Sequence, residues 1–186
     1  TLRHDVPGVD ETAKRMGLAD EASSAVQVLK TIHTPHGGKL SLARVMRGSL
    51  QDGVSVARAD GEVHRIAGLY ALQGQMQNKL ASAEAGDVVA LGRLDKIATG
   101  ETVSVSKGPV PQLLELGPVS GVYGFAVSVQ DRKDEVKLTG AIQKLIEEDL
   151  SFSLDHNADT HEMVLWGQGE MRLRVGLEKL ANKFGV

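Results

Sequence analysis

Between Val26 and Val105 the sequence consists of short runs of Val, Leu and Ile that are separated by closely spaced turn residues. Glycine supplies the positive φ of a tight turn, and Asp bonds to the neighbouring backbone, so each pair of turn residues ends one strand and begins the next. Many short strands with turns at this density favour a β-barrel or a β-sandwich. The turn pairs are Gly37-Gly38, Asp52-Gly53, Asp60-Gly61, Gly86-Asp87 and Thr99-Gly100.

A proline-rich stretch follows this region. Three of the chain's five prolines, Pro109, Pro111 and Pro118, fall close together with two glycines. Proline fixes φ and removes a backbone donor, which suits a stiff linker between domains. A length of 186 residues also accommodates two small domains. We therefore predict a connector at residues 1–25, a β-barrel at 26–106, a linker at 107–121 and a second domain at 122–186.

The second domain begins with a strand pattern and then changes period. Phe125, Val127 and Val129 alternate with small or polar residues, as expected of a strand with one buried face. Apolar residues then recur at helical spacing, with Asp134 placed to cap the helix. Acidic residues at 147–149 oppose the helix dipole and mark either the end of this helix or a partner. The helical stripe consists of Leu138, Ile142, Leu145 and Ile146.

Two strand-like runs come next, at residues 152–155 and 163–166, and a polar turn at 157–160 separates them. A second amphipathic helix follows, with Leu173, Leu177, Leu180 and Phe184 on its apolar side. The order strand, helix, strand, strand, helix is the ferredoxin-like split βαβ arrangement without its last strand. In the full arrangement the last strand pairs with the first, so we expect the first strand to keep one open edge.

The composition limits the functional class. Hydrophobic residues make up 41% of the chain and charged residues 24%, which is typical of a soluble globular protein. No segment reaches the roughly 20 apolar residues that span a bilayer. With no cysteine the chain forms neither disulfides nor thiolate metal sites, and a cytoplasmic protein is the easiest fit. A net charge of −3 argues against binding nucleic acid by bulk attraction but leaves local basic patches possible.

Motifs for nucleotides and ions are absent or incomplete. No Gly-x-x-x-x-Gly-Lys-Ser/Thr phosphate loop occurs. Gly167 and Gly169 precede a helix as in a dinucleotide fingerprint, but Arg172 occupies the third glycine position, so a tight turn explains them better. Residues 155–159 resemble the start of a calcium loop, yet Thr160 replaces the required glycine and Trp166 the glutamate.

Catalytic and metal-binding patterns are equally weak. His33 and His36 lie three apart in a glycine-rich turn without a third ligand, which favours a loop role. No Gly-x-Ser-x-Gly nucleophile elbow occurs, so we predict no catalytic residue, cofactor site or metal site in this chain. Lys39, Arg44 and Arg47 surround a glycine turn and are candidate phosphate contacts on RNA, although on charge alone a solvated strand face explains them better.

The run from Val28 to Gly48 resembles the opening of the second domain, a β-barrel, of elongation factor G. Gly53, the run Ala85–Ala90 and the run Thr99–Thr102 match further pieces of that domain in the same order. The second half resembles the third, ferredoxin-like domain of the same family. The runs that carry this resemblance are Lys137-Leu138, Leu145 to Phe152 and Gly167 to Leu173.

Some positions depart from the family pattern. The family usually has proline where Leu150 stands, and Asp-Pro where this chain reads Thr34-Pro35. In the helix-start motif Gly-Glu-Leu-His-Leu-Asp, the histidine is replaced by Arg172 and the aspartate by Arg174. These replacements favour a divergent member of the family over the main translocation factor.

The resemblance implies a translational GTPase whose nucleotide domain, with GTP and Mg²⁺, precedes these two domains, and residues 1–25 would be the exit from it. It implies the ribosome, that GTPase domain and C-terminal domains as partners, and the cytoplasm as location. Gly167, Gly169, Glu170 and Arg172 would then face the nucleotide domain or the factor-binding site of the ribosome. A release or ribosome-protection factor of the same domain order, and a stand-alone RNA- or protein-binding module, remain alternatives.

Overall fold

The structure is a computed structural model that describes residues 24–34, 38–74, 76–105, 117, 119–129, 134–160 and 162–186. The chain forms two compact units, Thr1–Leu116 and Gly117–Val186. Residues 1–23 of the predicted connector, most of the predicted linker, and His36 lie outside the described residues.

The first unit is a β-barrel of ten described strands. Eight strands form one sheet in the order β5-β4-β10-β1-β2-β9-β6-β7, and β3 pairs with β8 in a second sheet. All of these pairings are antiparallel. The strands are β1 (Ala25–Thr34), β2 (Gly38–Arg47), β3 (Ser49–Gln51), β4 (Ser55–Ala57), β5 (Val63–Arg65), β6 (Leu69–Gln73), β7 (Met76–Lys79), β8 (Ser82–Glu84), β9 (Val88–Gly92) and β10 (Thr102–Ser104).

Glycine turns and a single apolar core account for this barrel. Those predicted turn glycines that the structure describes have positive φ, for example 80° at Gly53 and 91° at Gly100, a conformation that costs other residues energy. Alternate residues of the long strands point inward, so Val26 and Val28 pack with Val45 in the core. The prediction of a barrel from short runs and dense turns is confirmed.

The second unit is a three-stranded sheet with two helices. Its strands are β11 (Tyr123–Val127), β12 (Ser153–His156) and β13 (Met163–Gly167), and its helices are α1 (Glu135–Glu148) and α2 (Glu170–Lys179). The strand order β11-β13-β12 is the ferredoxin-like order without a fourth strand. Among the described residues β11 therefore pairs on one side only, through β13. The predicted ferredoxin-like fold is confirmed.

The helices cover this sheet with the residues expected from their spacing. Leu138, Ile142 and Leu145 of α1 are buried against Leu165 and Leu173. Asp134 occupies the N-cap of α1 but makes no side-chain capping bond. The second helix differs from the expected regular α-helix, because it changes to a π-helical turn at Leu180–Phe184. Gly185 ends that turn with a φ of 67°, and Phe184 still packs on the core.

Candidate functional site

The pairing of β1 with β2 decides which basic residues share a face of the barrel. Val28 pairs with Ala43 and Lys30 with Leu42, so Leu29 is an extra residue in β1. At the other end the register also shifts, which leaves Met46 as an extra residue in β2. A β-bulge reverses the inward and outward alternation beyond it. The faces of this hairpin therefore follow from its register rather than from simple alternation along the sequence.

Lys39 lies on the inner face of the barrel. An even number of positions on β2 separates it from Ala43 and Val45, so it points to the same side as these two core residues. Its side chain is buried, and its Nζ donates to the backbone carbonyl of Asp95 over 2.8 Å. The hydrogen bond satisfies a cation that would otherwise be costly to bury. The structure thus separates Lys39 from the other two residues that the sequence grouped with it.

Arg44 and Arg47 share the outer face. Arg44 pairs with Gln27 and Arg47 with Ala25, and these two positions of β1 lie on the side opposite Val26. Both arginine side chains are half-buried.

Sequence reasoning missed a third cation on this face. Lys30 is exposed and pairs with Leu42, which has the same parity as Arg44. Simple alternation from Val28 would assign Lys30 to the inner face. The bulge at Leu29 moves it to the outer face, and the sequence alone does not show this bulge. We call Lys30, Arg44 and Arg47 the outer-face cations.

The turn before α2 joins the second unit's sheet to its helix. Gly167 ends β13 and is buried, and a Cβ there would lie 3.1 Å from Leu173, so the absence of a side chain permits this close packing. Gln168 donates from Nε2 to the carbonyl of Ser120 over 2.7 Å. Gly169 is the N-cap of α2, and its carbonyl accepts from the N–H of Leu173 over 3.2 Å. The glycines therefore serve a tight turn between strand and helix.

Arg172 connects the start of α2 to the end of α1. Its Nη2 donates to Asp149, and its Nε donates to the hydroxyl of Ser151 over 3.3 Å. The guanidinium also lies 5.3 Å from the centre of the Phe152 ring. At the same end of α1, Glu148 pairs with Lys183. The acidic cluster at 147–149 thus marks both the end of the helix and a set of partners, as its sequence suggested.

Glu170 and Arg174 form an ion pair one turn apart on α2. Glu170 Oε1 accepts from Arg174 Nε at 3.0 Å and from Nη2 at 2.6 Å. Both side chains are exposed, so the pair contributes little to stability. The pair does change the local surface charge, because the positive charge of Arg174 balances the carboxylate of Glu170.

The polar turn at 157–160 is a hairpin turn. Asn157 Oδ1 accepts from the N–H groups of Asp159 at 2.9 Å and Thr160 at 3.2 Å, which is the geometry of an Asx turn. Within the described ranges no group of three His, Asp or Glu side chains could hold a metal ion. No helix in the described part of the chain is long and apolar enough to cross a membrane.

Comparisons with known proteins agree with this architecture. Residues 23–106 match the family model described as elongation factor G domain 2, and residues 119–186 match the model of elongation factor G, domain III. An elongation factor G-like protein of Synechocystis is 42% identical over 98% of this chain. An elongation factor G-like protein of Mycobacterium tuberculosis is 31% identical over 90% of it. Elongation factor G 2 of Pseudoalteromonas translucida is 32% identical over 80%.

A solved structure of a Thermus thermophilus protein is also similar to this chain. It superposes with a TM-score of 0.76 at 27% identity and covers 91% of this chain, which in turn spans 25% of that protein. The chain spans 26% of the length of the Synechocystis and Mycobacterium relatives, and 22% of the Pseudoalteromonas protein. What these relatives have in common with the chain is therefore about a quarter of their length.

Proposed function

The chain belongs to the elongation factor G family, and we propose that it supports ribosome docking and couples GTP hydrolysis to conformational change in translation. The observation that carries this proposal is the pair of consecutive family matches, to the second domain at 23–106 and the third domain at 119–186. Because the second and third domains follow each other in the order of the family, they support a coupling role that depends on both domains.

In this proposal the barrel contacts ribosomal RNA through the outer-face cations. Lys30, Arg44 and Arg47 project from one side of a single hairpin, and cations at such spacing can contact successive phosphates. The chain's net charge of −3 means that such contacts would be local and would not reflect general attraction to RNA. Lys39, buried and bonded to Asp95, would support the hairpin from inside.

The second unit would transmit movement between a nucleotide domain and the rest of the protein. We propose that the turn from Gly167 to Arg172 is its contact with the nucleotide domain or with the factor-binding site of the ribosome. Arg172 holds the start of α2 against the end of α1, so a displacement at this turn would move both helices together. GTP and Mg²⁺ would bind in the nucleotide domain of the longer protein, which would act in the cytoplasm.

Binding of the 186-residue chain to ribosomes tests the RNA-facing part. We expect the double variant Arg44→Ala, Arg47→Ala to sediment with ribosomes less than the wild type. The slope of log K against log salt should fall in magnitude by about 1 for each phosphate contact removed. The double variant Lys144→Ala, Lys179→Ala, which removes the same charge from exposed helix positions of the second unit outside the turn from Gly167 to Arg172, is the matched control. Equal losses in both double variants would contradict the proposed RNA-facing surface.

The coding sequence around the chain tests the GTPase part separately. We expect a phosphate loop and an Asn-Lys-x-Asp motif upstream of Thr1, and ribosome-stimulated GTP turnover by the whole protein. Absence of both motifs would favour a stand-alone binding module. If both motifs are present but ribosomes do not stimulate GTP turnover, the coupling role is contradicted. The sedimentation experiment then decides the RNA contact separately.

A further inference from the structure

Trp166 lies on the side of the second unit's sheet that is opposite the hydrophobic core. Its neighbour in β13, Leu165, is fully buried in that core, and successive side chains of a strand point to opposite faces. Trp166 pairs with Gly124 of β11 on one side and with Ser153 of β12 on the other. We call this side the outer sheet face, and its strand residues are Gly124, Ala126, Ser153, Asp155, Val164 and Trp166.

The position of Trp166 in the sheet does not depend on an edge. β13 is the central strand in the order β11-β13-β12, so both of its neighbours are present. A further strand beside β11 would extend the sheet by one strand and would leave Trp166 between Gly124 and Ser153. The outer sheet face is therefore a property of three strands that the structure describes.

Small residues on β11 leave room for the indole ring. A Cβ at Gly124 would lie 3.1 Å from two atoms of the Trp166 ring system and 3.0 Å from a methyl group of Val164. The next outer residue of β11, Ala126, is also small. The indole thus lies against the backbone of β11 and stays half-buried, with part of its ring exposed.

The charged residues of the outer sheet face, in the part that the structure describes, are both acidic. Asp155 pairs with Val164, and its side chain is exposed. Glu162 lies two residues before Val164, and its carbonyl accepts from the N–H of Asn157 over 2.9 Å, so the alternation of β13 extends to it. Diagonal neighbours on paired strands are roughly 7–8 Å apart, so one long side chain could contact both Trp166 and Asp155.

An exposed indole on a sheet can stack either on a nucleic-acid base or on a cation. Every base is accompanied by a phosphate, which the two carboxylates repel, whereas the same carboxylates attract a cation. Other rings of this unit already have cations, since Arg172 lies 5.3 Å from the centre of the Phe152 ring and Lys183 lies 5.4 Å from that of Phe184. Among the described residues no Lys or Arg lies over Trp166, although tryptophan is the strongest cation–π acceptor.

We propose that the outer sheet face binds an arginine side chain from an extended basic segment of another protein. The planar guanidinium stacks on the indole of Trp166 and donates to the carboxylate of Asp155, two contacts that a lysine ammonium does not combine as well. Glu162 attracts the further positive charges of the segment. The proposal rests on the composition of this face and is independent of the proposed role in translation.

Titration of the 186-residue chain with a Gly-Arg-Gly-Arg-Gly peptide tests the proposal. Citrulline in place of arginine keeps the shape of the side chain and removes its charge, so we expect the citrulline peptide to change Trp166 fluorescence with an affinity about tenfold weaker. Asp155→Asn should weaken binding of the arginine peptide by about threefold. Glu135→Gln removes the same charge from an exposed position of α1, on the other side of the sheet, and is the matched control.

Amide NMR of the same samples locates the binding site. We expect the arginine peptide to shift the amide signals of Gly124, Ser153 and Val164, and Trp166→Leu to abolish these shifts. Unchanged binding by a folded Trp166→Leu variant, or equal weakening by Asp155→Asn and Glu135→Gln, would overturn the proposal. So would equal affinities for the arginine and citrulline peptides, or no binding at about 10 mM peptide in low salt. A single-stranded RNA oligonucleotide that bound this face more tightly than the arginine peptide would show base stacking instead.

Discussion

A single hairpin of the barrel holds basic residues in two different environments. Lys39 is buried and donates to the carbonyl of Asp95, whereas Lys30 is exposed on the opposite face. Burying a lysine is tolerated only where its ammonium group finds partners, so the two lysines have different contributions to stability. In the proposed contact with RNA, we expect Lys30 to contribute more than Lys39.

Replacing each lysine by alanine separates these contributions. We expect Lys39→Ala to lower the free energy of unfolding by about 1–3 kcal/mol, because it deletes buried stem atoms and a buried hydrogen bond. Lys30→Ala should change it by no more than about 0.5 kcal/mol. Urea unfolding measures the free energy of unfolding of both variants. A larger loss from Lys30→Ala than from Lys39→Ala would contradict the assigned faces.

Asp52 links barrel stability to pH. Its Oδ2 lies 3.0 Å from Lys79 Nζ, and its Oδ1 accepts from the N–H of Gly68. The hydrogen bond from Lys79 is the largest cause and lowers the pKa of Asp52 below its ordinary 3.8. Burial opposes this shift, and the charge of Lys79 and the Gly68 N–H then lower the pKa further. A carboxylate whose folded pKa is lowered stabilises the fold above its unfolded pKa, and this contribution is lost as pH falls through the folded pKa.

We therefore expect the barrel to lose stability below about pH 4, partly through Asp52. Asp52→Asn should make that loss shallower. Lys79→Met should raise the pKa of Asp52 towards its ordinary value, as followed by carbon NMR of the carboxyl group. An unchanged Asp52 pKa in Lys79→Met would show that the ion pair does not operate in solution.

At the scale of elements, two helical glycines have opposite surroundings. A Cβ at Gly176 of α2 would lie 3.0 Å from two atoms of the buried Phe152 ring, whereas a Cβ at Gly140 of α1 meets nothing within 4 Å. Alanine is favoured over glycine in a helix interior by roughly 0.5–1 kcal/mol where there is room for it. Gly176 is thus required by packing, and Gly140 is not.

The alanine variants of these glycines test the packing of α2 on the sheet. Gly140→Ala should raise the free energy of unfolding by about 0.5–1 kcal/mol. Gly176→Ala should be less stable than Gly140→Ala by about 1–3 kcal/mol, because the added methyl must displace the Phe152 ring. Thermal or urea unfolding followed at Trp166 reports both. Equal stabilisation by the two substitutions would show that α2 packs more loosely than its contacts indicate.

The elements themselves were largely predictable, but the faces of the barrel hairpin were not. The apolar stripe of α1 and the alternation in β11 follow from local periodicity, which is a property of consecutive residues. The bulges at Leu29 and Met46 depend on pairing between strands, so simple alternation would place Arg47 on the face of Lys39 and Lys30 on the inner face. The grouping of Lys39 with Arg44 and Arg47 came from their nearness to a glycine turn, which does not decide their faces. Arg172 was similarly singled out at the start of α2, while its bonds to Asp149 and Ser151 depend on how the two helices pack.

At the scale of the whole molecule, each unit has its own hydrophobic core. The barrel core includes Leu91, and the core of the second unit includes Ile142 and Leu165, with no residue shared between the two clusters. A domain with its own core can fold by itself, and domains that do so can move relative to each other without unfolding. The proposed coupling of GTP hydrolysis to conformational change requires such independence of the two units.

Core substitutions in each unit test this independence. Leu91→Ala and Ile142→Ala each remove a fully buried side chain, so each should cost its own unit about 2–5 kcal/mol. The chain's single tryptophan, Trp166, lies in β13 and so reports unfolding of the second unit, while hydrogen exchange at Val26 and Val45 reports the barrel. We expect Ile142→Ala to shift the unfolding transition seen at Trp166 and Leu91→Ala to leave that transition unchanged. The exchange of the barrel amides should instead respond to Leu91→Ala and not to Ile142→Ala. If either substitution shifted both transitions equally, the two units would fold as one cooperative body, and relative movement of intact domains would no longer be a mechanism open to this chain.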